Sequence, residues 1–214
     1  MQIRKVYFAG ELFDHKDIIG NLLMACSIEN VSGQKYKVEL PQDSEENEKR
    51  STKSIRDRDI ELLLSCDCIV ANFDGTELDS GTVVEFCLAK QLGLPAVLLR
   101  TDFRKGGDNG ADPWNLMCSG YPRTSTLLLS AMEQYHRLKT ADAVTSVMNM
   151  CNETATLIIS DLEELFAQKP VLSEEEAVRA MELAVKSSGG TLGVLFPEER
   201  IRQLCSEKAI KGVY

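Results

Sequence analysis

The sequence predicts an α/β fold, a doubly wound parallel sheet of about five strands followed by a C-terminal helical extension. Short apolar runs alternate with stretches of helical spacing at least three times, and the connections between them are short. Such alternation is the mark of βαβ units. One run, Cys68 to Phe73, is apolar almost throughout, which suits a strand covered on both faces of a parallel sheet.

Lys5 to Ala9 reads as the first strand and ends at Gly10. Asp17 to Ile28 then carries Ile18, Ile19, Leu22, Leu23 and Ala25 at helical spacing. Tyr36 to Leu40 is a second strand closed by Pro41, and the polar run Gln42 to Lys53 is too charged to bury itself and reads as loop. Ser54 to Ser65 forms a helix with Ile55, Ile60, Leu63 and Leu64 inward, and the strand Cys68 to Phe73 is stopped by Asp74-Gly75. After the loop Thr76 to Asp79, Gly81 to Leu92 is a helix, ended by Gly93 with Pro95 beyond it. Ala96 to Arg100 is the next strand. A sheet of this kind is flavodoxin-like and binds ligands at the carboxyl ends of its strands. The loops that matter are therefore Ala9 to Phe13, Gln42 onward, Asn72 to Gly81, and Thr101 to Met117.

Beyond Leu138 the pattern changes. Ala141 to Leu165 is helical without a following strand, Lys169-Pro170 breaks it, and Ser173 with Glu176 makes a capping box for a helix that runs to about Ser187. Ser188-Gly189-Gly190 ends that helix, and Pro197 to Lys208 reads as one more. Residues 1–138 are thus expected to form the sheet domain and residues 139–214 a helical extension, for packing or oligomerisation.

A net charge of −9 argues against a nucleic-acid polymer or an anionic membrane as partner and favours a small, nearly neutral ligand. No stretch approaches the roughly 18 apolar residues of a membrane span, and the N-terminus enters a strand pattern without an apolar leader, so a cytoplasmic location is expected. The seven cysteines are scattered without a CxxC pair, and only two histidines accompany them, so they read as reduced structural thiols and no metal site is expected.

The most informative segment is Asn72 to Phe86, which places Asp79 just before a helix and Glu85 about one turn inside it. A carboxylate near a helix N-terminus is expected to be held ionised by the dipole. Two carboxylates six residues apart at one crevice suit N-glycosidic chemistry, in which one attacks C1′ through an oxocarbenium-like transition state. Taken alone, the pair also reads as a helix cap and an exposed helix glutamate.

The chain as a whole resembles the nucleoside 2-deoxyribosyltransferase family. The resemblance runs over roughly residues 3–120, through Val6-Tyr7-Phe8-Ala9-Gly10 with Phe13, Asp59 and Asp67, Asp79-Ser80-Gly81-Thr82 with Glu85, and Ala89 with Gly93-Leu94-Pro95. It continues in Thr101-Asp102-Phe103-Arg104, Asp108-Asn109 and Pro113-Trp114-Asn115-Leu116-Met117. It implies transfer of 2-deoxyribose between nucleobases, as in nucleotide salvage, with no metal or organic cofactor. It implies that Glu85 is the nucleophile that forms a deoxyribosyl ester, that Tyr7 hydrogen-bonds it, and that Asp59 helps to protonate the departing base. Asp79 would hold the sugar hydroxyls. Gly10, Phe13 and Gln42 would line the substrate site, Gln42 against the base. Asn115 and Met117 would enter a neighbouring subunit's site, so a homo-oligomer, a dimer or larger, is implied. Asp67 reads instead as a structural tie. The segments Lys105 to Gly110 and Gln42 to Lys49 flank the pocket where base choice would be shaped, and Tyr214 is expected to stay away from it.

Two other functions fit the same residues. Water in place of a base would make the protein a deoxynucleoside or deoxynucleotide N-glycosidase. A nucleotide-sensing module without turnover would use the extension as its output, since flavodoxin-like sheets host many functions.

Overall fold

The computed structural model describes residues 2–44, 52–104 and 112–214. Strands β1 (Arg4–Ala9), β2 (Tyr36–Glu39), β3 (Cys68–Asn72), β4 (Ala96–Arg100) and β5 (Thr124–Leu128) form one parallel sheet in the order β2-β1-β3-β4-β5. This is the flavodoxin-like order, with its topological switch between β1 and β3. Those two strands pair with Val6 opposite Cys68 and Ala9 opposite Ala71, so they end level with each other at the crevice.

Pleating sends alternate residues to opposite faces. Tyr7, Ala9, Ile69, Ala71, Ala96 and Leu98 pack toward α2 (Thr52–Ser65) and α3 (Ser80–Gln91). Val6, Phe8, Cys68, Val70, Val97 and Leu99 pack toward α1 (His15–Val31) and α5 (Ala143–Ala167). Both faces are covered, which is why the strand sequences read as apolar runs. Helix α1 starts two residues before its predicted position because Asp14 caps it, accepting from the backbone amides of Lys16 at 2.7 Å and Asp17 at 3.1 Å. Gly93 closes α3 as predicted, at φ +71, and its missing side chain leaves room for Leu172, whose Cγ lies 3.0 Å from where a Cβ would sit.

Residues 139–214 share both cores with residues 1–138. From α5, Ala155, Ile158, Leu162 and Leu165 are buried against the sheet, each large side chain contributing about 1.5–3 kcal/mol. The short helix α4 (Ala131–Leu138) leads into α5, while α6 (Glu174–Ser188), α7 (Leu192–Leu195) and α8 (Glu198–Ile210) pack over α2 and α3 through Met181, Leu192, Ile201 and Cys205. Among the described residues no helix is long and apolar enough to cross a membrane. Cys66 and Cys68 are fully buried, and burial pushes the Cys66 thiol up to about 12, so these thiols stay protonated packing groups.

The amino edge of the sheet is tied by residues 211–214. Asp67, which is 1 % exposed, accepts from the Lys5 amide at 2.7 Å and from Lys211 Nζ at 2.8 Å. Arg123 donates to the carbonyls of Leu165, Gly212 and Val213. Tyr214 packs into the core at this edge and stays clear of the strands' carboxyl ends, as expected from the sequence. Removing one partner of a buried ion pair strands the other charge. Asp67→Ala should therefore cost about 3 kcal/mol, read as a lower denaturant midpoint, whereas substitution at the exposed Glu175 on α6 should leave the midpoint almost unchanged.

Candidate active site

The site is assembled by the two strands that flank the switch point and the helices behind them. Tyr7 lies on β1 with its side chain on the α2–α3 face and is fully buried. Its hydroxyl donates to Glu85 Oε1 at 2.5 Å, closing a contact between the middle of β1 and the second turn of α3. A buried phenol needs such a partner, and burial with the adjacent Glu85 raises its pKa well above the ordinary value, so it remains a donor. Asp59, on α2, and Asp79, at the start of α3, are close enough for their charges to be felt at Glu85. Tyr7 and Glu85 are thus in contact, with Asp59 and Asp79 within electrostatic reach of Glu85.

The protonation of Glu85 differs from the sequence-based expectation. Its pKa is pushed up to about 7, chiefly by burial, with the charges of Asp59 and Asp79 adding to the rise and the Tyr7 hydrogen bond opposing it. A helix dipole favours the ionised form, but that effect fades beyond the first turn. Glu85 follows the cap residue Asp79 by six positions, so desolvation dominates.

Asp79 is a helix cap in fact. Its Oδ2 accepts from the Thr82 amide at 2.7 Å and the Thr82 hydroxyl at 2.9 Å. The loop that delivers it is pinned by two residues to which the sequence gave no such role. Asp74 accepts from the amides of Thr101 at 2.5 Å and Asp102 at 2.8 Å and from the Thr101 hydroxyl at 2.7 Å. Arg100, buried at the end of β4, donates to the carbonyls of Phe73, Gly75 and Arg104. The signal was an arginine closing an otherwise apolar strand and an aspartate just past the neighbouring one.

Gly10 follows β1 and faces Asn72 so closely that a Cβ would lie 3.3 Å from that residue's own Cβ. Asn21 of α1, also missed in the sequence, is 7 % exposed and links the Glu11 carbonyl at 2.9 Å to the Gln42 side chain at 3.2 Å. Gln42 in turn donates to the Ile18 carbonyl at 3.1 Å, which fixes its amide beside α1.

The remaining predicted residues, Phe13, Asn115 and Met117, are exposed on this chain. Phe13 is 77 % exposed in the loop before α1. Asn115 caps a short turn by accepting from the Met117 amide at 3.0 Å, and Met117 is 70 % exposed. Both line a cavity of about 690 Å³ with Ser80, Val83 and Val84, which Glu85 does not border. Trp114 anchors this segment by edge-on contact with Phe73, at 5.2 Å between centroids. A second cavity of about 860 Å³ opens on the α1–α5 side near Phe8, Asn21, Asn72 and Tyr135, and neither Tyr7 nor Glu85 borders it. Two buried titratable groups hydrogen-bonded to each other, with raised pKa values, mark a functional-site candidate, so the Tyr7–Glu85 centre is the candidate site. Asp108, Asn109 and the segment Lys105 to Gly110 lie outside the described residues, as does most of Gln42 to Lys49.

Fold and site together define an α/β enzyme with a carboxylate centre at its switch point. The profile of the family described as nucleoside 2-deoxyribosyltransferase matches residues 6–117. The chain belongs to the nucleoside 2-deoxyribosyltransferase family, and so to the glycosyltransferases. Among solved structures it is similar to a conserved protein from Enterococcus faecalis, at 27 % identity and TM-score 0.50 over 61 % of this chain and 93 % of that one. It is also similar to a 2-deoxyribosyltransferase from Bacillus psychrosaccharolyticus, at 17 % identity and TM-score 0.46 over 66 % of this chain and 95 % of the other. A third similar structure is the corresponding enzyme from Leishmania mexicana, at 23 % identity and TM-score 0.48 over 61 % and 92 %. No curated protein matches the sequence.

Proposed function

We propose that this protein exchanges the base of a 2′-deoxynucleoside through a covalent deoxyribosyl ester on Glu85. The observation that carries the reading is the 2.5 Å hydrogen bond from the buried Tyr7 hydroxyl to Glu85 Oε1, which aims the carboxyl group. With a pKa of about 7, Glu85 is both substantially ionised near neutrality and more basic than an ordinary carboxylate, two properties a nucleophile needs. A carboxylate oxygen of Glu85 bonds to C1′ as the N-glycosidic bond breaks. The electron pair leaves with the base, and Asp59 supplies the proton. In the second half a different base attacks C1′, the ester bond breaks, and Asp59 takes a proton back.

A free nucleoside suits the site better than a nucleotide. The carboxyl group of Glu11 is raised by burial and then by the charges of Asp17, Asp79, Asp14 and Asp74, so the mouth of the crevice is negative and would repel a phosphate. Of three described arginines that could meet a phosphate, Arg100 is occupied by carbonyls, Arg104 pairs with Asp102, and Arg123 lies at the amino edge. Phe13, Gln42, Gly10 and Asp79 would hold the substrate, with Asn115 and Met117 completing the site of a second copy in a homo-oligomer.

Incubating the protein with a deoxynucleoside and a different free base tests the reading. The exchanged nucleoside should appear, and the intact protein should gain the mass of one deoxyribosyl group when the acceptor is omitted. Free deoxyribose released at the same rate with or without acceptor would make the protein a hydrolase instead. Asp79→Ser separates the two tasks of that residue. Serine caps a helix about as well as aspartate, so the melting temperature should hold, while loss of the carboxylate should raise KM about 10-fold or more, the scale of one charged hydrogen bond.

A further inference from the structure

We propose that helices α6–α8 latch α2 so as to fix the position of Asp59, with Asp57 as the positioning residue. The inference rests on the role given above to Asp59. Asp57 and Asp59 are two residues apart on a helix, so they project about 200° apart. One stripe of α2 therefore faces the reaction and the opposite one faces the extension. Asp59 is on the first, where its charge is felt at both Glu85 and Tyr7.

The second stripe is held at consecutive turns. Asp57 is fully buried, and its Oδ2 accepts from the Thr191 amide at 2.6 Å and the Thr191 hydroxyl at 2.9 Å, while Arg56 pairs with its other oxygen at 3.1 Å. Arg56 also donates to the Ser188 carbonyl at 2.8 Å, and one turn further along Glu61 pairs with Arg200 of α8 at 3.0 Å. The turn between α6 and α7 is built to admit the carboxylate. Gly190 sits at φ +67, and a Cβ there would overlap Asp57 Oδ2, so glycine is required by conformation and by space alike. A buried charge with two donors from one residue resists rotation or sliding of its helix. Displacement of an acid by about 1 Å is enough to cost about 100-fold in rate.

The test uses the full-length chain and paired substrates that differ in how much their base needs a proton: 2′-deoxyuridine with 5-fluoro-2′-deoxyuridine, and 2′-deoxyguanosine with 7-methyl-2′-deoxyguanosine. In Asp57→Ala, kcat should fall about 10- to 100-fold on the unactivated member of a pair and less than about 3-fold on the activated one, with KM little changed. Asp57→Asn, whose amide oxygen still accepts from Thr191, should recover most of the rate. Thr191→Val, a milder change, should show the same selectivity if Asp57→Ala fails to fold. Equal losses on both members of a pair, or no loss at all, would overturn the latch. A Glu85→Ala variant run alongside keeps the two ideas separate: if it exchanges bases as well as wild type, the nucleophile assignment fails, whereas an inactive Glu85→Ala with unselective Asp57 variants sinks only the latch.

Discussion

Glu85→Ala is expected to abolish base exchange, lowering kcat by about 10⁴-fold, the scale on which loss of a covalent nucleophile is felt in other enzymes. Such a factor corresponds to about 5.5 kcal/mol of transition-state stabilisation. The neighbours should matter less and in a definite order. Asp59→Asn removes the proposed general acid, a role worth about 10²- to 10⁴-fold. Tyr7→Phe removes one hydrogen bond to a charged group, worth about 1.5–3 kcal/mol, and leaves the nucleophile in place. Single-turnover rates of base release, measured without acceptor, would read the three losses on one scale. Exchange by Glu85→Ala at the wild-type rate would mean that another group attacks C1′.

Glu85→Gln is expected to stabilise the protein at alkaline pH while destroying its activity. A carboxyl group whose pKa is about 7 in the fold and 4.5 when unfolded binds more protons in the fold between those values. The fold therefore loses stability as pH rises through that window, carries the full penalty above it, and is free of it below. For a largely buried group, discounted for the solvent that reaches it, the penalty is about 2 kcal/mol at pH 8. Glutamine keeps the shape and still accepts from Tyr7, so the melting temperature should rise by about 4–8 °C at pH 8 and change little at pH 4. A Glu85→Gln variant that melts lower than wild type at pH 8 would show that the carboxylate is not disfavoured there. The same pKa should appear in activity as a rising limb of kcat/KM near pH 7. Tyr7→Phe, which removes the contact that lowers the Glu85 pKa, should move that limb upward.

Strands β1, β3 and β4 were legible because burial on both faces leaves an apolar run, and the edge strand β2 because its buried Tyr36 and Val38 alternate with charged residues and Pro41 closes it. The fifth, Thr124–Leu128, was not placed: it is an edge strand of threonine, serine and leucine with Leu128 49 % exposed, and half-covered edges write a weak pattern. The periodicity of α5 was plain, but periodicity does not name a partner, so its seat on the sheet beside α1 had to come from the fold. The Asp79–Glu85 spacing pointed to the site, and the company of Tyr7 and Asp59 came from the family resemblance. The protonation of Glu85 was misjudged because a dipole can be read from sequence whereas depth cannot. Nothing in the sequence singles out Asp57 among the charges of α2, since its partner Thr191 is far along the chain.

The seat of α5 also orders the making of the protein. A ribosome that has released residues 1–138 has delivered every strand and all of the proposed Tyr7, Asp59, Asp79 and Glu85 centre, yet the face formed by Val6, Phe8, Val70, Val97 and Leu99 still lacks Ala155, Ile158, Leu162 and Leu165. The nascent sheet must wait with that flank bare. Folding of this enzyme is thus bound to the delivery of α5, and until then a chaperone would have the most apolar surface to guard.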